Sequence, residues 1–192
     1  GLVEPAVVGA PGEASCRYRV FPGGSSGVAV GNVDLGIGGT TALTVMAWIR
    51  WAIPPGSGEN WANIVTSNDN GDTGQFWLQH RQDNGVTEFA VETTGGRTFI
   101  QASTPTVQGV WQHVAGVYDG AQIRIYVDGV LAGTRNRTGG IRAFTAATEL
   151  NIGRWKPGGS QFRRFQGDID EVRVFDGVLT AAEIAAERDR TR

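Results

Sequence analysis

The chain is short of several things, and each shortage excludes something. Of its 192 residues only Cys16 is a cysteine, so no internal disulfide can form. Only Lys156 is a lysine; every other basic side chain is arginine, a bias that genome composition or a demand for bidentate contacts would each explain. His80 and His113 are the only histidines, and neither lies beside a nucleophile in a triad-like pattern. No stretch approaches the roughly 18 uninterrupted apolar residues of a membrane helix, so no membrane insertion is expected. A formal net charge of −2, a pI of about 5.7 and the lack of any nucleic-acid motif argue against a nucleic-acid partner. No internal repeat and no linker divides the chain. The opening Gly1-Leu2-Val3-Glu4-Pro5 carries no leader pattern and reads as the start of a processed chain.

Glycine, by contrast, is abundant at 29 residues, about twice ordinary usage, which suits many tight turns between short strands. Asp119-Gly120 and Asp128-Gly129 separate runs rich in β-branched and aromatic residues, a strong hairpin signal because glycine tolerates the positive φ of a tight turn. Between them Ile123, Ile125 and Val127 share one face and Arg124 and Tyr126 the other, the two-residue period of a half-buried strand. Further strands are predicted over 44–51, 61–66 and 75–81, and a hairpin joins 88–93 to 97–102 across Thr94-Gly95-Gly96. The span 52–60 and the polar stretch Ser67 to Gly74 are predicted as loops. Thr180-Ala-Ala-Glu183 is a capping box opening a short helix to Asp189. Residues 1–16, with Pro5, Pro11 and Gly12, suit an N-terminal arm or edge strand leading into a domain over 17–192. The expected fold is all-β, an antiparallel two-sheet sandwich with a short C-terminal helix.

Four segments carry a more specific signature: W-Q-H-V-A-G-V-Y-D-G at 111–120, I-R-I-Y-V-D-G-V-L at 123–131, L-N-I-G-R at 150–154 and G-D-I-D-E-V-R-V-F-D-G-V-L-T-A-A-E-I at 167–184. Upstream, Gly31-Asn32-Val33-Asp34-Leu35 leads into A-L-T-V-M-A-W-I. Together they resemble the laminin-G-like jelly rolls of the concanavalin A-like superfamily, which includes the pentraxins, over roughly Val28 to Ile184. The resemblance implies a jelly roll and leaves the ligand open, since one fold hosts many functions.

It also suggests where calcium could bind. Asp69-Asn70, in a loop that also holds Asp72, is similar to the pair with which pentraxins ligate calcium, an ion that takes six to eight oxygens. The segment where pentraxins carry a second acidic cluster is here Arg154-Trp155-Lys156-Pro157, which is basic and argues against their two-calcium site. Asn, Asp and Gly also build turns without metal. The second place is Asp168-Ile169-Asp170-Glu171. Strict alternation puts Asp168 and Asp170 with Val172 and Val174, and Glu171 with Arg173. Asp170 would then be a carboxylate at the rim of the core, needing calcium, an arginine or several backbone N–H groups.

Relatives in the superfamily include glycosidases, whose retaining members set two glutamates about 5–5.5 Å apart. Asp170 and Glu171 fall on opposite faces, and Glu88 and Glu92 do not form that pattern, so no catalysis is expected. Binding determinants are the remaining candidates. Sugar rings stack on aromatic faces while amides, carboxylates and guanidinium groups bond their hydroxyls. Trp51, Trp61, Trp77 and Trp155 flank loops, with Trp61, Trp77 and Trp155 the preferred platforms, whereas Trp48 and Trp111 belong to strand motifs and are expected in the core. Arg135, Arg137, Arg142, Arg154, Lys156, Arg163 and Arg164 fall within thirty residues, and if their loops converge, Arg154, Lys156, Arg163 and Arg164 would bind an acidic glycan. The resulting expectation is a secreted or cell-surface recognition module for a glycan or surface ligand, stabilised by calcium. The alternatives are an assembly subunit that pairs with protein through a sheet edge or the N-terminal arm, and a glycan-active enzyme with an atypical site.

Overall fold

The Asp-Gly pairs turn the chain where expected. In the computed structural model, Asp128 (φ 50°) and Gly129 (φ 79°) both occupy the left-handed region that a two-residue hairpin of this hand requires. At the preceding turn the Asp119 carboxylate accepts bonds from the backbone N–H of Ala121 (2.9 Å) and Gln122 (2.7 Å). The structure describes residues 2–3, 18–22, 27–53, 60–69, 73–155 and 163–190.

Thirteen strands and one helix are built from these residues, all strand pairs being antiparallel. The first sheet contains β1 (Leu2–Val3), β2 (Tyr18–Pro22), β4 (Leu43–Trp51), β9 (Gln112–Tyr118), β10 (Gln122–Val127), β11 (Val130–Asn136) and β13 (Gln166–Phe175), in the order β1-β2-β13-β4-β9-β10-β11. The second contains β3 (Val28–Gly31), β5 (Trp61–Asn68), β6 (Gly74–Arg81), β7 (Thr87–Thr93), β8 (Gly96–Gln101) and β12 (Glu149–Ile152), in the order β3-β12-β5-β6-β7-β8. Helix α1 (Ala181–Arg190) closes the chain, and its capping box is intact: Thr180 N–H donates to Glu183 (2.7 Å) and Glu183 N–H to the Thr180 hydroxyl (3.3 Å). Leu2–Val3 pairs with β2 at the edge of the first sheet; residues 4–17, Cys16 among them, lie outside the described residues.

The core lies between the sheets. Val45, Ala47, Ile49, Ile123 and Ile125 from the seven-stranded sheet meet Ile64, Phe76, Leu78, Phe89 and Val91 from the six-stranded one. Phe89 crosses the gap far enough that a Cβ on Gly116 would stand 2.3 Å from its ring. Glycine in the middle of β9 is therefore a packing requirement. A second, smaller cluster lies outside the seven-stranded sheet, where Ile184 of α1 covers Met46, Ala115, Val117 and Tyr126. The helix thereby buries the tyrosine face of β10, the face that alternation alone leaves to solvent.

Three expectations need correction. First, the strand phase at β13 changes: the register breaks between Asp170 and Arg173, where Glu171 has φ 47°. Ile169 enters the core and Val172 and Val174 pack against it, so Asp168 faces outward and bonds Arg50 at 2.7 Å. A bulge inserts the extra residue that shifts the alternation. Second, Ser67, Asn68 and Gly74 belong to β5 and β6, which shortens the polar loop to 69–73. Third, the tryptophans divide differently. Trp51 is in the core, whereas Trp48 is buried on the outer face against His113, and half-buried Trp111 packs edge-on with Tyr18 beneath Arg50.

Two measurements follow from this packing. Gly116→Ala is expected to cost about 1–3 kcal/mol, because the new methyl overpacks against Phe89. Combining it with Phe89→Leu should recover part of that loss in thermal melts, whereas simple additivity would mean the two residues do not touch. Both histidines are buried, and burial pushes each pKa down to about 4. The unfolded chain takes up these protons first, near pH 6.5, so stability is full above that pH and falls between about 6.5 and 4 by roughly 1.4 kcal/mol per pH unit for each histidine. Melting temperatures between pH 7.5 and 4.5 should show this decline, and the H80Q/H113Q double variant should flatten it.

Candidate functional site

Because Phe76, Leu78, Phe89 and Val91 face the core, the residues between them face outward from the six-stranded sheet. Pairing then aligns them in rows. Trp77 lies opposite Ala90, and Ala90 opposite Phe99; Gln79 lies opposite Glu88, and Glu88 opposite Gln101; Trp61 lies opposite Arg81. The small Ala90 between Trp77 and Phe99 leaves a dip, and a groove of about 350 Å³ opens there. Its walls are Trp61, Arg81, Arg97, Phe99 and Arg163 around a floor of Trp77, Gln79 and Glu88.

The floor is buried and polar. Glu88, 5% exposed, accepts bonds from Gln79 Nε2 (2.5 Å) and Gln101 Nε2 (2.9 Å), and Arg81 Nη1 is 3.6 Å away. Gln79 Oε1 and Trp77 Nε1 are buried without a hydrogen-bond partner. The chain leaving β12 folds over this face. Trp155 stacks on Trp77 with ring centres 5.8 Å apart and planes 7° from parallel. When the chain returns, both the backbone and the side-chain N–H of Asn63 donate to the Arg163 carbonyl (2.9 and 3.1 Å). Arg163 has φ 33°, strained for a non-glycine residue. Its guanidinium stands 4.5 Å from the Trp155 ring centre and 5.1 Å from that of Trp61, while Arg81 stands 5.0 Å from Trp61 and Arg97 5.6 Å from Trp77.

All three preferred tryptophans therefore meet at one place. Trp61 is the half-buried rim platform, and Trp77 and Trp155 form the stacked pair beside it. The basic window is mostly dispersed. Arg137 bonds the carbonyls of Gly95 and Arg97, Arg142 bonds Asp69 and Glu92, and Arg154 bonds Asn151 (3.0 Å) beside Gly27. Arg164 forms a bridge with Asn63 below the groove, and Lys156 lies outside the described residues. From that window Arg163 reaches the groove and Arg135 its edge, 5.2 Å from the Phe99 ring centre. The sequence reading weighs Glu88 only as a catalytic acid and passes over Arg81, Arg97 and Gln79, although alternation along W-L-Q-H-R already puts Trp77, Gln79 and Arg81 on one face.

The proposed calcium donors have other partners. Asp69, 6% exposed, bonds Arg142 Nη2 (3.0 Å) through one oxygen and the Thr148 hydroxyl (2.6 Å) through the other. Asp170 accepts from the Glu171 N–H (2.9 Å), and Asn70 and Asp72 lie outside the described residues. Among the described residues no group of three acidic, histidine or cysteine side chains is placed to hold a metal. With a guanidinium already on Asp69, the described donors do not fit calcium.

Comparison with known proteins agrees with this architecture. A family model for the concanavalin A-like lectin/glucanases superfamily matches residues 22–185. No curated protein matches the chain. Among solved structures, the native heptameric SAP-like pentraxin from Limulus polyphemus is 20% identical with a TM-score of 0.59, covering 76% of this chain and 68% of that one. The CBM40 of Ruminococcus gnavus IT-sialidase bound to α2,3-sialyllactose is 17% identical with a TM-score of 0.62, covering 84% and 96%. Domain 4 of AbnA, a GH43 extracellular arabinanase from Geobacillus stearothermophilus, in complex with arabinotriose, is 17% identical with a TM-score of 0.63, covering 97% and 79%.

Arg142 bridges Asp69 and Glu92. EDTA is therefore expected to leave the melting temperature unchanged to within about 1 °C, while Arg142→Met should cost about 1–3 kcal/mol by stranding two carboxylates. A chelator-induced drop of several degrees would return Asp69 to a metal.

Proposed function

This chain belongs to the concanavalin A-like lectin/glucanases superfamily, and from that membership and the groove's geometry we propose that it is a non-catalytic module that binds glycans. The carrying observation is a half-buried tryptophan, Trp61, at the rim of a groove whose floor is an amide–carboxylate network. An aromatic face takes the C–H side of a sugar ring, and fixed amides and guanidinium groups orient its hydroxyls. Two structures of the same fold carry sugars, sialyllactose and arabinotriose, which supports the reading.

The acid count among the described residues supports a binding role without hydrolysis. Glycoside hydrolysis needs two carboxyl groups flanking the bond, and Glu88 is the one carboxylate among the described lining residues. Its two oxygens are already committed to Gln79 and Gln101. The module would work outside the cell, secreted or at its surface, where polysaccharide is met; the arabinanase whose Domain 4 shares this fold is an extracellular enzyme. No helix among the described residues is long and apolar enough to cross a membrane. Assembly through a sheet edge is a second reading, favoured by edge strand β11, where Val130 and Leu131 are 69% and 51% exposed.

Trp61→Ala tests the first reading directly. Binding to whichever glycans register on an array should weaken about tenfold or more, with the melting temperature held within about 2 °C because the ring is at the rim. A blank array for the unaltered protein, or full binding by the variant, would remove the groove as the site.

A further inference from the structure

We infer that the groove takes an extended, linear glycan of about four sugars, stacked on Trp61 at one end and on Phe99 at the other, which makes Phe99 a second binding platform; this deepens the glycan-binding reading and rests on it. The first reason is the strand register. Trp61 on β5 lies opposite Arg81, whereas Phe99 on β8 lies in the row of Ala90 and Trp77. Three strand-to-strand steps separate the two rings across the sheet, and the four positions from Trp77 to Arg81 separate them along it. Antiparallel spacing then sets them roughly 20 Å apart on the diagonal, a span for about four linked sugar rings. Both line the same groove.

The second reason is what lies between them. The diagonal crosses the sheet at the Gln79–Glu88 pair, midway from ring to ring. Both side chains there are buried and polar, and the bulky Trp77–Trp155 stack stands to one side. Gln79 Oε1 has no hydrogen-bond partner, so a ligand hydroxyl can donate to it from the middle of the span. A linear glycan presents that order of surfaces: a ring face, a run of hydroxyls, a ring face. An extended proline-rich peptide could stack on the same two rings, but it brings no backbone donor for that oxygen.

The third reason is how the rings are held. Phe99 is 44% exposed with Arg135 lying 5.2 Å from its ring centre, so it keeps a large open surface with that brace in place. Trp61 is braced by Arg81, which is itself bonded to Asp83. Rings fixed in advance lose little freedom when a ligand arrives. The small Ala90 beside Phe99 leaves the depth that a sugar ring needs. Strand β8 is the last of its sheet, so no further strand of that sheet stands beyond Phe99 to stop a longer chain.

Calorimetry with ladders of two to six units cut from cellulose, xylan and arabinan tests the inference. In whichever ladder binds, affinity should climb about tenfold or more from dimer to tetramer and level off beyond it. Phe99→Ala should remove most of that gain while leaving dimer binding, held at Trp61, and the melting temperature, to within about 2 °C, unchanged. Should that variant fail to fold, Phe99→Leu keeps apolar bulk without the flat face and should remove a smaller part of the gain. A dimer that binds as tightly as the hexamer overturns the length inference and leaves the glycan reading standing, and so does a Phe99→Ala variant with full affinity for the tetramer. Tighter binding of decaproline than of any sugar overturns it as well. Silence on all three ladders overturns it, and silence on the glycan array besides overturns both.

Discussion

The strict two-residue alternation of β6 and β7 is the constraint on which the site depends. Leu78 pairs with Phe89 and Phe76 with Val91 on the inner face, and those four side chains are fully buried between the sheets. With the inner pairs fixed, Trp77 must pair with Ala90 and Gln79 with Glu88 on the outer face. A slip of one residue would expose two phenylalanines and bury a carboxylate among aliphatic side chains, so the hydrophobic effect sets the groove as firmly as it sets the core. Phe89 is the tightest point of this coupling, because its ring occupies the volume that Gly116 leaves on the facing sheet.

The outer face bears a cost for what it carries. Burying Glu88 demands the two glutamine amides that hold it, and leaving Gln79 Oε1 and Trp77 Nε1 unpaired forfeits about 1–3 kcal/mol apiece. A face selected for stability alone would be apolar under the Trp155 cover or simply solvated. Arg163 adds backbone strain to the same square of surface. Unpaired donors and acceptors, a strained arginine and a stacked tryptophan pair within one groove are what a preorganised polar site contains before its ligand arrives.

Much of the scaffold was legible because its signals are local. The Asp-Gly turns, the apolar strand at β4, the hairpin of β7 and β8 and the Thr180–Glu183 capping box each depend on residues within a few positions of one another. What was not legible depends on distant partners. The bulge at Glu171 is set by how β13 must pair with β4 while turning Ile169, Val172 and Val174 inward, and nothing in D-I-D-E-V announces it. The tyrosine face of β10 reads as solvent-facing until α1 arrives from fifty residues downstream to cover it. Trp61, Trp77 and Trp155 were recognisable as platforms one by one, but their meeting was not. The basic run at 135–164 suggested convergence by proximity in sequence, whereas the groove takes Arg163 from that run and Arg81 and Arg97 from a different one.

The two acidic places and the groove obey the same electrostatic rule. At the end of β5 the buried Asp69 and its neighbour Glu92 share Arg142, so two carboxylates meet one cation whose bonds are internal and short. On β13 the outward Asp168 meets Arg50, itself stacked on Tyr18 and Trp111. In both places a guanidinium neutralises the carboxylate, which suits a chain whose cations are nearly all arginine. In the groove Arg81 likewise lies on Asp83 and within 3.6 Å of Glu88. The stacking of Arg81 on Trp61 adds roughly 0.5–1 kcal/mol to that pairing.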